Sequence, residues 1–345
     1  MLCFMDIRAL RPLFILGVPK SGTTLIQRLL DGHPALVVDD AESKFFSRFV
    51  PRAQQLSDPR DRRRLAQEIM FRKFSEGEST RHRRWDYPAL LRAFDRNLDL
   101  LGTEIPHYLP SAVCAIGNVT GQVGVTSRYW VEKTPYWRTP RRSVHQYFPD
   151  AMIIQTIRDP RANFSSVLRM GLLECADVGW FAHSWAREAR RARRAHDGFF
   201  GEAQLLVRYE DIAQHPARTV ERIAKHLDLP VVDELFHPTF HMTPGARATQ
   251  WAGNSAYGTT FEGISATSVA RWREELAEAD IKTIEAVAGA EMNRAGYGLE
   301  TGARRSEAID ATVQYGRRET RRALQHVSAA LKRRVVHLFA ENAVR

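Results

Sequence analysis

The sequence predicts an α/β fold with a central, mostly parallel sheet, a P-loop-like phosphate-binding loop, helices on both faces and an extra C-terminal helix. Three observations predict it. A short apolar run, Pro12 to Gly17 (PLFILG), ends at a glycine and leads into a helical pattern, Thr23 to Asp31, which His33-Pro34 stops. Further short apolar runs, Tyr129–Glu132, Ala151–Ile157 (AMIIQTI) and Gln204–Tyr209 (QLLVRY), read as strands. Most of them are separated by segments of helical periodicity, and strands joined through helices pair in parallel.

The elements between and after these strands extend the body. Residues 58 to 100 read as charged amphipathic helices, a helical elaboration over the sheet edge that runs on to residue 115. Pro238 to Gly263 is rich in Gly, Thr and Ala, and a long loop before the helix that starts at Ser268 reads as a lid. The body spans residues 1–300. From 301 to 345 the chain reads as a basic amphipathic helical tail: residues 302–345 carry ten Arg or Lys against four Asp or Glu, with Leu324, Val327, Leu331, Val335 and Leu338 on one stripe. Three roles stay open for the tail: packing on the body, homodimerisation, and peripheral contact with an anionic membrane.

Composition narrows the function classes. A chain of 345 residues that is 44% apolar can bury a large core, so disorder is not the leading reading. Cys3, Cys114 and Cys175 are too few for a disulfide framework and form no zinc pair, so a reducing, cytoplasmic location is expected. No segment reaches the roughly 18 apolar residues of a spanning helix, which limits membrane contact to the periphery. The net charge of +10 favours an anionic partner without choosing among nucleotide, nucleic acid and membrane. Most arginine runs, such as Arg190 to Arg194, read as solvated helix faces.

The segment Gly17-Val18-Pro19-Lys20-Ser21-Gly22-Thr23-Thr24 has the strand-to-helix setting in which backbone N–H groups and a helix N-terminus attract an anion. Its lysine is misplaced for an NTPase. There the lysine follows the second glycine; here Thr23 holds that place and Lys20 stands two residues before Gly22. Lys20, Ser21, Gly22, Thr23 and Thr24 are therefore candidate ligands of a 5′-phosphate group.

PKSGTT after an apolar strand resembles the 5′-phosphosulfate loop of the sulfotransferase family. A second pattern of that family is an Arg at the end of a buried strand and a Ser eight residues later on the next helix, which together clasp a 3′-phosphate. Arg158 and Ser166 in IIQTIRDPRANFSS have that spacing. LLVRYEDI, in which Tyr209 would approach the adenosine end, and SVARWREEL with Gly296-Tyr297 are similar to further family segments, so the likeness runs from about Leu13 to Tyr297. It implies 3′-phosphoadenosine-5′-phosphosulfate (PAPS) as donor, adenosine 3′,5′-bisphosphate as product, a hydroxyl-bearing acceptor, and neither metal nor nucleic acid. Carbohydrate, glycolipid, protein tyrosine and natural product all remain open as acceptors, with the pattern nearest the carbohydrate, protein-tyrosine and bacterial branches.

The same resemblance implies Glu42, in HPALVVDDAESKFF, as the base, and Lys133, in WVEKTP, as a second cation beside Lys20. Asp39, Asp40 and Glu132 are alternative carboxylates, whereas His33 and His107 read as structural. In the lid, Asn254 and Ser255 lack the RKG-type motif of some relatives. Two rival classes stay open: an ATP-dependent small-molecule kinase in which Asp159 holds magnesium, and a non-catalytic basic module that binds nucleic acid or membrane.

Overall fold

The computed structural model describes residues 6–39, 42–71, 86–171, 176–236 and 266–302. The lid segment, Asp40, Cys3, Cys175 and residues 303–345 of the tail lie outside that set. In chain order the elements are β1 (Arg11–Gly17), α1 (Thr23–Leu30), β2 (Leu36–Val38), α2 (Val50–Ala53), α3 (Pro59–Met70), α4 (Tyr87–Leu101), α5 (Tyr108–Thr120) and β3 (Tyr129–Pro135). They continue with α6 (Arg141–Tyr147), β4 (Met152–Ile157), α7 (Pro160–Arg169), α8 (Val178–Ala195), β5 (Gln204–Arg208), α9 (Tyr209–Gln214), α10 (Pro216–His226), α11 (Thr267–Ala270), α12 (Trp272–Glu275) and α13 (Glu278–Arg294).

The chain forms two compact units, Met1–Asp159 with Glu188–Arg271, and Pro160–Arg187 with Trp272–Arg345. The first holds the sheet, whose order is β2-β3-β1-β4-β5 with every described pair parallel. β1 is central because its apolar run is buried on both faces, as an inner parallel strand requires. Leu13 and Ile15 join Leu25, Ile26 and Leu29 of α1 and Val220 and Ile223 of α10 on one face. Phe14 and Leu16 point the other way, into a core with Ile116, Trp130, Val144 and Phe148. There the Phe14 ring meets Trp130 edge-on at 5.4 Å between centroids.

The charged segment after residue 58 is helical for a local reason at each start. The Asp58 side chain accepts a hydrogen bond from the Arg60 N–H ahead of α3, Asp86 does the same for Ala89 ahead of α4, and a proline opens each first turn. Leu65 and Met70 of α3 and Leu90 and Leu98 of α4 share the core that contains Phe14, so these helices thicken one face of the sheet.

Three boundaries differ from the sequence expectation. β3 runs on from Glu132 to Pro135, because its parallel register with β1 continues to Gly17 opposite Pro135. β5 stops at Arg208, and Tyr209 opens a helix instead of closing the strand. The helix expected from Ser268 onward is three pieces, with Ala277 extended (ψ 144°) immediately before α13.

In the second unit, Arg161 of α7 pairs with Glu285 of α13 at 2.5 Å, both buried. Its guanidinium lies 4.2 Å from the centre of the Trp272 ring, which anchors α12 at 2% exposure. His33 is structural, as expected: Nδ1 accepts from the Ala35 N–H, and Nε2 lies 3.0 Å from the Pro230 carbonyl.

Candidate active site

The loop between β1 and α1 is shaped by residues that have room only for what they carry. A Cβ on Gly17 would lie 2.1 Å from the Thr156 hydroxyl, and one on Gly22 would lie 2.7 Å from the Tyr209 ring. Gly22 (φ 98°) and Lys20 (φ 68°) are both left-handed, a conformation that glycine adopts freely and lysine adopts under strain. Ser21 is wholly buried, its hydroxyl 2.7 Å from the Val18 carbonyl and 2.6 Å from the Thr156 hydroxyl. The Ser21 side chain thus shapes the loop from inside. α1 starts at Thr23 with no side-chain cap, which leaves the N–H groups of its first turn to an anion.

Arg158 follows β4 and reaches back over the loop. It donates to the Lys20 carbonyl at 3.2 Å and to the Ser268 carbonyl at 3.1 Å, and its guanidinium lies 4.1 Å from the centre of the Tyr209 ring. The Tyr209 hydroxyl meets the Ser268 hydroxyl at 2.6 Å. The Tyr209 ring packs against the core of the first unit and lies beside Gly22 and the Arg158 guanidinium. In the sequence Ser268 stands only as the start of a helix and of SVARWREEL, because one serine there carries no spacing signal for a contact with Tyr209. The Asp159 N–H donates to Glu210 at 2.9 Å, which fixes the Arg-Asp-Pro turn. Ser166 lies on α7, in the second unit.

At the end of β3 the pleat separates two neighbours. Glu132 pairs with Phe14 in the register and Lys133 with Ile15, so their side chains take opposite faces. Glu132 is buried and accepts from the Ser43 N–H at 3.1 Å and the Ser43 hydroxyl at 2.7 Å, which pins the segment after β2. Lys133 donates to the Thr24 hydroxyl at 3.3 Å and lies 3.6 Å from the Glu42 carboxylate. Glu42 also pairs with Lys44, another left-handed residue (φ 58°). Asp39 is buried, and its N–H extends the sheet by donating to Val131.

The charges act on one another. Burial, then the positive charges of Arg158 and Lys133, bring Lys20 down to about 8 from its ordinary 10.5. Burial lowers Lys133 as well, against the pull of Glu42. For Glu42 burial favours the neutral acid, but Lys133 and Lys44 together outweigh it and hold the carboxyl below its ordinary value. Among the described residues no cluster of three or more His, Cys, Asp or Glu has a metal-binding arrangement, and no helix is long and apolar enough to cross a membrane.

A parallel α/β sheet with a cationic, uncapped loop at the carboxyl end of its central strand is the setting in which α/β proteins place a ligand site. Comparison with known proteins narrows this. The model of the sulfotransferase family matches residues 12–234, and that of the sulfotransferase domain matches residues 185–296. The chain belongs to the sulfotransferase family. It is 23% identical over 232 residues to a protein-tyrosine sulfotransferase of Drosophila melanogaster, covering 65% of this chain and 39% of that protein. With protein-tyrosine sulfotransferase A of Caenorhabditis elegans the identity is 24% over 229 residues, 65% of this chain and 52% of that one. The chain thus matches only part of the length of these relatives.

Two solved structures share the fold. The sulfotransferase domain from the curacin biosynthetic pathway superposes with a TM-score of 0.58 at 19% identity, covering 84% of this chain and 99% of that one. The sulfotransferase domain of the Synechococcus PCC 7002 olefin synthase gives 0.59 at 19% identity, covering 87% and 100%.

Proposed function

We propose that this chain transfers a sulfuryl group from PAPS to an acceptor hydroxyl by single in-line displacement. The observation that carries the reading is the convergence of Lys20, Lys133 and Arg158 at the carboxyl ends of β1, β3 and β4, where Arg158 and Lys133 depress the Lys20 ammonium. A dianionic phosphate fits such a place, because it relieves the repulsion among the cations while the first-turn N–H groups of α1 supply donors.

When bound, the donor supplies a sulfuryl group on a phosphate leaving group. The residues of the chain do the rest. The backbone from Ser21 to Thr24 binds the 5′-phosphate, and Lys20 neutralises the charge that grows on the bridging oxygen. Arg158 binds the 3′-phosphate with its planar fork while keeping its hold on the Lys20 carbonyl. The Tyr209 ring is assigned to the adenosine end by its place in the family pattern. Glu42, ionised at neutral pH, takes the acceptor proton on a carboxylate oxygen, while Lys133 orients that carboxylate and faces the transferring group.

The scattered cysteines support a reducing, cytoplasmic setting, and Cys114 fits it as an inert thiol, buried and raised to about 12. The acceptor is proposed only as a hydroxyl compound.

Thermal-shift titration tests the donor half. Adenosine 3′,5′-bisphosphate should raise Tm without magnesium, by about 2.7 kcal/mol of added stability at a hundredfold excess over Kd. A magnesium-dependent shift with ATP alone would replace the reading by a kinase, and no shift with either would leave a binding module.

A further inference from the structure

The buried hydroxyl of Thr156 lies in β4, two residues before Arg158, inside IIQTIRDPRANFSS but apart from the Arg158 and Ser166 that form its pattern. It meets the Ser21 hydroxyl at 2.6 Å and the Leu16 carbonyl at 3.3 Å, and it fills the space where Gly17 lacks a Cβ. The Ser21 hydroxyl in turn lies 2.7 Å from the Val18 carbonyl. Both side chains are shut off from solvent, at 2% and 0% exposure, so each hydroxyl hydrogen must find a protein acceptor.

Two hydrogens serve three contacts, and the distances rank them. Ser21 donates to Val18, the one acceptor its hydrogen has besides Thr156 among the described residues. Thr156 donates to Ser21 at 2.6 Å in preference to Leu16 at 3.3 Å. The Leu16 carbonyl keeps another donor, the Gln155 amide at 3.3 Å. Gln155 is itself held by Arg141, which donates to its Oε1 at 2.9 Å and pairs with buried Glu188 at 2.8 Å. A fixed polar support therefore stands behind the loop, and its last link is one hydroxyl pair.

We propose that Thr156 is a positioning residue: its hydroxyl latches Ser21 and so holds the strained Lys20 peptide in the shape that receives the donor's 5′-phosphate. The latch pins the loop directly after Lys20, and Arg158 pins the Lys20 carbonyl from the other side. With the latch gone, the backbone at Lys20 is free to leave its left-handed conformation and carry the ammonium with it. This inference rests on the proposed donor site.

The test is calorimetric titration of the full chain with adenosine 3′,5′-bisphosphate, alongside turnover. Thr156→Val keeps the shape and removes the hydroxyl; it should weaken binding about tenfold and reduce kcat further. Thr156→Ser should restore both to within about twofold of wild type. The double variant Ser21→Ala with Thr156→Val should be no worse than the poorer single variant, since the Ser21–Thr156 bond is already lost in each.

Wild-type binding in Thr156→Val, or equal impairment in Thr156→Ser and Thr156→Val, overturns the latch while leaving the donor site standing. Failure of the wild type to bind the bisphosphate overturns both. Should Thr156→Val not fold, Thr156→Ala read beside Thr156→Ser decides: binding weakened in Thr156→Ala and kept in Thr156→Ser supports the latch, and unchanged binding in Thr156→Ala overturns it.

Discussion

The two sides of the loop are built by different means. Toward β4 and β5 the parts are fixed by hydrogen bonds and ring contacts, buried for Thr156 on Ser21 and part-buried for Arg158 on the Lys20 carbonyl and for Tyr209 against Gly22 and Ser268. Toward β2 and β3 the working groups are ion-paired, with Glu42 between Lys133 and Lys44, and Glu42 and Lys44 keep part of their side chains in solvent. The first side can set positions, because a hydrogen bond between buried groups is costly to leave unmade. The second can set protonation, because charges at a few ångströms shift one another's pKa without fixing geometry. The difference matches the chemistry proposed: a donor phosphate needs a rigid cradle, whereas proton transfer to a carboxylate needs a tuned charge.

Variants on the two sides should therefore fail differently, and the largest effect belongs to the β2–β3 side. Glu42→Gln should lower turnover by about 10³-fold while bisphosphate affinity stays within about twofold, as steady-state kinetics beside calorimetry would show. A matching loss of affinity would make Glu42 a structural carboxylate and erase the contrast. Lys20→Ala comes next, with turnover down about 10²-fold and a smaller fall in affinity of about tenfold. Wild-type turnover in that variant would remove Lys20 from the mechanism.

The smallest effect sharpens the boundary between the two sides. Lys20 stands at about 8, and an anion binds best to its protonated form, so bisphosphate affinity should fall by several fold as pH rises through that value. Lys20→Arg, which stays charged, should flatten the profile, and a slope unchanged in Lys20→Arg would assign the titration elsewhere. Folding stability moves the opposite way. The unfolded chain holds this proton up to the ordinary 10.5, so the group's contribution to stability rises with pH between about 8 and that value.

Much of this was legible in one dimension. The parallel sheet followed from apolar runs separated by helical periods, and the loop followed from Gly17 and Gly22 around Lys20. Arg158 was legible through its place after a buried run. Other parts were not. Glu132 and Lys133 are neighbours in sequence and both were plausible at the site; the pleat alone sends one to Ser43 and the other to Thr24 and Glu42. Ser21 belongs to the loop motif, yet its side chain turns inward to Thr156, a contact across 135 positions of sequence. Ser268 and Thr156 had no local pattern, since a hydroxyl acquires its partner only when distant segments meet.

The sequence by itself determined what is periodic or local: the fold class, the strand-to-helix loop with its lysine before the second glycine, and the arginine at the end of β4. Periodicity and turn chemistry act over a few residues, so they can be read without the fold. The tertiary structure decided which carboxylate meets Lys133, which hydroxyl holds the loop, and where the Tyr209 ring lies. Those depend on strand order, register and the face each side chain takes, and they exist only after β1 has settled between β3 and β4.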